Sequence, residues 1–311
     1  MKRGVAAGVL SGVFWGIVFL IPAVLHEFSP FIIVVIRYSF YGILCFGAIF
    51  FVRSLSGRKA YAQFSNLDGK QRLVMVKLVF FGNIFYYLAV TGAVQLIGIA
   101  AVSLIEGLVP VMAVLFGRSP GVSLKRLSYP LILIILGLIA INTDLFTALP
   151  DKTLADKAIG VLLAFLALFS WSYYAIVNAR SLQLYSNFTP SEWSSLFGAV
   201  TGIFAAIIGA AAFLLLGGNI PSKFIQGDLS LLLTMTAVLA IFPSFMGTIC
   251  WNAASKKLPV SLSGQMIVFE TIFALIYGFI YYARFPRLLE TAAIVLMAAG
   301  VVWSIRLHRR Y

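Results

Sequence analysis

The sequence predicts an all-α integral membrane protein of ten transmembrane helices, arranged as two inverted five-helix repeats with the N- and C-termini both cytoplasmic. Three observations lead there. Of the 311 residues, 61% are hydrophobic and 11% charged, against about 45–50% and about 25% in soluble domains, and the mean hydropathy is +1.02. The apolar residues gather in ten runs near the length needed to cross a bilayer. Several residues of the first five runs recur, in order, in the last five.

The ten runs cover residues 4–25, 30–53, 72–93, 97–118, 128–143, 157–180, 191–217, 229–254, 259–283 and 287–307. They are continuously apolar, with none of the alternation of a lipid-facing barrel. Helices are then the remaining way to satisfy a backbone in lipid. The fifth run is short, and the third and fourth, two separate helices, meet so tightly between Gly92 and Gly98 that they invite misreading as one long helix. Met1-Lys2-Arg3 precedes an apolar run that continues past Leu20 without a small-x-small cleavage site, so the run reads as a first span and not as a removable leader.

Charge sets the orientation. The net charge of +13 suits cytoplasmic loops better than nucleic acid, because no basic stripe lies on a soluble fold. With the N-terminus inside, only Lys152, Lys157, Lys223, Arg284 and Arg287 of the 23 Lys and Arg residues fall outside and Arg37 stays within a span. The rest are cytoplasmic, as the positive-inside rule requires.

The repeat is carried by residue order. Gly4-Val5 and Trp15 in the first run match Gly160-Val161 and Trp171 in the sixth. Gly82-Asn83-Ile84-Phe85-Tyr86-Tyr87 with Ala89 in the third matches Gly247-Thr248-Ile249-Cys250-Trp251-Asn252 with Ala254 in the eighth, and Glu106 matches Glu270. The offsets are 156 (15 to 171), 165 (82 to 247) and 164 (106 to 270). The chain therefore divides into a unit at 1–150 and a second at 151–311. Five is odd, so the second copy enters the membrane upside down, a recurring device of transporters that open a central site to each side in turn.

Ser11-Gly12-Val13-Phe14-Trp15-Gly16, Ile36-Arg37-Tyr38, Phe85-Tyr86-Tyr87-Leu88-Ala89, Val109-Pro110-Val111, Val268-Phe269-Glu270 and Gly300-Val301-Val302 resemble the drug/metabolite transporter superfamily, in its ten-helix EamA-type branch. The resemblance covers essentially the whole chain. Trp251-Asn252 is similar to a pair in one inner-membrane subgroup. Thr271 stands where the family often has proline, and the acidic residue that closes the ninth hairpin is displaced, with Arg284 and Arg287 nearby and Glu290 later. The resemblance implies a secondary active transporter in a bacterial-type inner membrane. It would move a small metabolite, an amino acid or amine, usually outward, by alternating access around a midplane site. Uptake of a quaternary amine such as choline is the alternative substrate class. A non-transporting receptor or assembly subunit is the alternative of another class.

Three ionisable residues lie well within spans: Arg37, Glu106 and Glu270. A charge at that depth costs at least about 2.5–3.5 kcal/mol on insertion scales, and such residues face a cavity or a partner. Glu106 lies ~12 Å along its helix from Gly98 and Glu270 ~16 Å from Pro259, which puts both near the midplane. Either could bind a cationic amine or exchange a proton for substrate, which is the favoured reading; the alternative is a structural carboxyl bonded to a neighbouring helix. Arg37 could take a substrate carboxylate, neutralise a glutamate, or snorkel to the interface. Trp15, Tyr86, Tyr87, Trp171, Trp251 and Asn252 fall on spans that the family places around its cavity. Aromatic faces beside a carboxylate suit ammonium groups, although Trp and Tyr also favour membrane interfaces. Pro22, Pro110 and Pro243 are candidate helix breaks, and the small residues of 202–212 and 292–300 are packing.

Enzyme chemistry finds no foothold. His26 lies near a loop and His308 at the tail, so no triad or metal cluster forms in the membrane. Gly69-Lys70 lacks the rest of a phosphate-binding loop. Cys45 and Cys250 sit inside apolar runs and indicate no disulfide framework. The sequence implies no cofactor and no metal. Its partners are a small-molecule substrate, protons as candidate coupling ion, the lipid bilayer, and a second copy across the ninth and tenth helices.

Overall fold

The computed structural model describes residues 1–25, 27–59, 61–117, 123–142, 153–185, 187–217, 227–281 and 283–309. His26 and the division expected at 150 and 151 lie outside the described residues. The elements are helical: α1 (Lys2–Trp15), α2 (Ile17–Val24), α3 (Pro30–Leu55), α4 (Gly69–Val79), α5 (Tyr86–Glu106), α6 (Val109–Phe116), α7 (Leu124–Asn142), α8 (Leu154–Leu184), α9 (Pro190–Leu215), α10 (Leu229–Leu239), α11 (Thr248–Lys257), α12 (Val260–Gln265), α13 (Val268–Tyr281) and α14 (Leu288–Arg309). A short 3₁₀ turn, Phe64–Asn66, precedes α4. Two π-helical segments, Phe80–Phe85 and Ala240–Gly247, join α4 to α5 and α10 to α11.

Seven of the described helical stretches are long and apolar enough to cross a membrane. The other expected runs are helical as well. The first divides at Gly16, the fifth is α7, and the fourth divides at Gly107-Leu108. The break expected between the third and fourth runs is not seen: α4, the first π-segment and α5 continue from Gly69 to Glu106. Residues 94–97 are Val-Gln-Leu-Ile, without proline or a turn pair, and Gly92 and Gly98 cost a helix only about 1 kcal/mol each.

Helix starts follow local chemistry. Asp68 and Gln71 form a reciprocal capping box at α4, with bonds of 2.8 and 3.0 Å. Thr189 and Glu192 do the same at α9, where Pro190 opens the helix. Arg284 grips Glu290 through both guanidinium ends, at 2.8 and 2.7 Å, and closes the α13–α14 hairpin.

The principal pairings join early elements to late ones: α3 with α9, α7 with α14, α1 with α11 and α13, α8 with α5, and α6 with α12. Small residues let the backbones touch. A Cβ at Gly42 of α3 would lie 2.5 Å from the Cα of Gly202 in α9, and the reverse. On α1, Gly4, Gly8, Gly12 and Gly16 form one stripe at four-residue spacing. Cβ atoms there would meet Leu258, Met266, Phe269 and the backbone nitrogen of Ala274 at 2.9, 2.7, 2.5 and 2.8 Å. The stripe therefore seats α1 directly along the chain that carries Glu270.

Candidate functional site

The two intramembrane glutamates both flank helix breaks. Glu106 is the last residue of α5, before the turn at Gly107-Leu108, where Leu108 N–H bonds the Ile105 carbonyl at 3.0 Å. Glu270 lies in the first turn of α13, just past a turn at Met266-Ile267 in which its own N–H reaches the Ile267 carbonyl at 2.9 Å. Discontinuous helices at this depth recur in transporter sites, because a break frees backbone polar groups beside the cavity. A helix N-terminus also favours a carboxylate, as at Glu270.

Glu106 and Glu270 interact electrostatically with one another, Tyr86 with both, and Arg37 with Glu270. Among the described residues neither glutamate forms an ion pair. Glu106 Oε1 is buried and makes no hydrogen bond. Trp15, Tyr86, Glu106 and Glu270 remain partly accessible, whereas Trp171 and Trp251 are buried.

Three indoles from three elements meet. Trp15 of α1 lies 5.8 Å from Trp171 of α8 and 5.1 Å from Trp251 of α11, and the last two are 5.5 Å apart. Tyr86 of α5 stands edge-on to Trp171 at 6.2 Å. Such contacts hold rings in fixed orientations. Trp15 Nε1 also donates to the Pro243 carbonyl at 3.0 Å. That carbonyl belongs to the second π-segment, where proline and the widened turn disturb the helical bonding. Ser170 of α8 serves the first π-segment in the same way, donating to the Phe81 carbonyl at 2.7 Å.

Arg37 of α3 is 6% exposed. Its Nε donates to Ser244 Oγ at 3.1 Å, and its guanidinium carbon lies 5.2 and 5.4 Å from the rings of Tyr38 and Tyr87. Its Nη1 is buried without a hydrogen-bond partner. Asn252 lies apart from these groups in a closed network. Asn178 donates to its Oδ1 at 2.7 Å, Asn252 donates to Ser194 Oγ at 2.7 Å, and Trp193 Nε1 donates to Asn178 Oδ1 at 2.8 Å. The structure thus brings Trp15, Trp171, Trp251 and Tyr86 into ring contact, sets Arg37 against Tyr38, Tyr87 and Ser244, and ties Asn252 into the α8–α9–α11 packing.

Sequence reasoning missed Ser244, Asn178, Trp193 and Ser194. Small or amide residues within spans were the available signal, since polar groups in lipid need partners, but nothing in a single sequence pairs residues 207 positions apart. His308 is buried at the end of α14, with Nε2 2.9 Å from Ser261 Oγ and Nδ1 2.9 Å from the Ser304 carbonyl. Among the described residues no cluster could hold a metal ion.

A bundle of helices long and apolar enough to cross a membrane defines a multi-pass membrane protein. The comparisons carry the assignment further. The sequence matches the EamA-like transporter family over residues 2–143 and 158–306. It is 30% identical over 315 aligned positions to the inner membrane protein YtfF of Escherichia coli (strain K12), covering 98% of this chain and 96% of that one. A solved crystal structure shares the fold with a TM-score of 0.69 at 19% identity, covering 100% of this chain and 99% of the other. The chain belongs to the EamA-like transporter family, of the drug/metabolite transporter type. It is a multi-pass inner-membrane transporter and not an enzyme.

Proposed function

We propose that the protein is a secondary active transporter that moves an amino acid or amine across the inner membrane, in the export direction, by alternating access around Glu106 and Glu270. The observation that carries this reading is the pair of carboxyls beside helix breaks, neither of them in an ion pair among the described residues. A carboxyl with no fixed cation is available to an ammonium group or to a coupling proton. Aromatic walls add cation–π attraction of about 0.5–2 kcal/mol.

The ten-helix, two-unit reading, with units at 1–150 and 151–311 and both termini inside, supplies the motion. The reciprocal pairings of α1 with α11 and α13, and of α8 with α5, support it. So do the two π-segments, which carry the repeat-related Gly82 and Gly247. A second reading, uptake of a quaternary amine, is favoured by the three converging indoles.

The test is ligand-induced thermal stabilisation of the purified protein across amines and amino acids, with Glu106→Gln and Glu270→Gln in parallel. Ligand that binds only the folded state raises the midpoint by mass action. Stabilisation lost in either variant supports the site. Stabilisation unchanged in both makes the glutamates structural and ends this reading.

A further inference from the structure

The guanidinium of Arg37 is half used. Its Nε is committed to Ser244 in the second π-segment, its plane is flanked by Tyr38 and Tyr87, and Nη1 is enclosed without a partner. A guanidinium presents five donors in a rigid fork. With the Nε side taken, the end formed by Nη1 and Nη2 remains, and it matches the two oxygens of one carboxylate. If Arg37 served only to balance Glu270, the two would be expected to close an ion pair, and they do not. A buried charged donor without an acceptor is costly, so the arrangement is suited to an acceptor that arrives with the transported molecule.

We propose that Arg37 is the anion subsite of the central site: it takes the carboxylate of a zwitterionic substrate end-on through Nη1 and Nη2, while Glu106 and Glu270 hold the ammonium group of the same molecule. This rests on the reading of the central site given above and deepens it. The substrate class becomes amino acids or their close derivatives, and simple or quaternary amines become poor ligands. Ser244 and the two tyrosines act as positioning residues that fix the fork. Arg37 is buried, so the carboxylate reaches it when the helices around Arg37 part during the transport cycle.

The experiment uses the full-length purified protein. The twenty protein amino acids are screened for thermal stabilisation. The best binder is then titrated beside its methyl ester and its decarboxylated amine. The ester keeps shape and ammonium group but loses the anionic oxygen. Wild type is expected to bind the acid at least about tenfold tighter than the ester, the scale of about 1.4 kcal/mol. Arg37→Gln and Arg37→Lys should bring the acid down to the level of the ester and leave the amine within about twofold. Should Arg37→Gln fail to fold, Arg37→Lys keeps the charge, and Ser244→Ala frees Nε while leaving the guanidinium in place. Ser244→Ala is expected to narrow the preference for the acid.

Equal binding of acid and ester by wild type overturns the subsite, as does acid binding that Arg37→Lys leaves intact. Loss of acid, ester and amine together in a folded Arg37→Gln protein, with all three restored in Arg37→Lys, marks a charge-balancing role and overturns it too. Amines bound without amino acids, with sensitivity to Glu270→Gln, overturn the subsite while the transporter site stands. Binding of neither class overturns both.

Discussion

The indole Nε1 of Trp15 donates to the backbone carbonyl of Pro243 at 3.0 Å, across 228 residues of sequence. The bond joins the first helix to the π-segment in front of α11. It also fixes the ring that touches Trp171 and Trp251. Trp15→Phe keeps an aromatic face but leaves that carbonyl without its donor. The expected cost is about 1–3 kcal/mol, the penalty for orphaning a buried acceptor. Thermal unfolding of the purified variant should show a midpoint several degrees lower, with Trp15→Leu lower still. An unchanged midpoint for Trp15→Phe would mean that the carbonyl finds another partner and that the bond holds nothing in place.

The glycine stripe of α1 makes a second prediction. A Cβ at Gly12 would lie 2.5 Å from Phe269 Cβ and 2.8 Å from its carbonyl carbon, so backbone and not a flexible tip must move. Gly12→Leu should push the start of α13, and Glu270 with it, away from α1. Overpacking of this kind costs about 1–3 kcal/mol, and here it also displaces a site residue. Gly47, with nothing within 4 Å, supplies the control. Gly47→Leu should express and bind like wild type, whereas Gly12→Leu should lose both stability and ligand binding. Equal behaviour of the two would remove the stripe from the account of the site.

Some of this was legible beforehand and some was not, for physical reasons. Glu106 and Glu270 stood out because charge is expensive in lipid, and Trp15 and Trp171 because they recur at the offset of Gly4 and Gly160. The four-residue spacing of Gly4, Gly8, Gly12 and Gly16 is visible in the sequence, but spacing alone does not say which helix covers that face. The helix breaks were harder. Gly107 gives a weak signal and Met266-Ile267 none, since apolar residues tolerate a turn once neighbouring helices pack around it. The π-segments leave the apolar pattern unchanged, so hydropathy is blind to them. The absence of a break between the third and fourth runs is the opposite case: the tight connection was noticed, yet only the backbone shows the helix running on to Glu106.

Asn252 is where the sequence reading and the structure point to different experiments. As a candidate substrate ligand it would offer its amide to the cavity. In the structure both ends of the amide are engaged, with Asn178 on one side and Ser194 on the other, and the residue is 1% exposed. Asn252→Ala would leave the Asn178 amide donor without its partner, at about 1–3 kcal/mol, whereas the Ser194 hydroxyl keeps its bond to the Pro190 carbonyl at 2.7 Å. The expected outcome is a large fall in the unfolding midpoint with the ligand Kd of the remaining folded protein unchanged. A shifted Kd at normal stability would return Asn252 to the site.

Orientation can be tested at two exposed connections. Ser56 follows α3 on the side that carries Arg53, Arg58 and Lys59, and Phe285, 93% exposed, lies between α13 and α14. With both termini inside, the basic connection after α3 is cytoplasmic and the α13–α14 turn is outside, as the distribution of Lys and Arg demands. Cys45 and Cys250 are free thiols within helices and would first be replaced by serine or alanine. Single cysteines at positions 56 and 285 are then treated with a membrane-impermeant maleimide in spheroplasts. The cysteine at 285 should label in intact spheroplasts, and that at 56 only after lysis. The reverse pattern would invert the whole orientation and turn the proposed export path around. Labelling of both before lysis would put both positions outside and so an even number of spans between them, against the seven of the ten-helix reading.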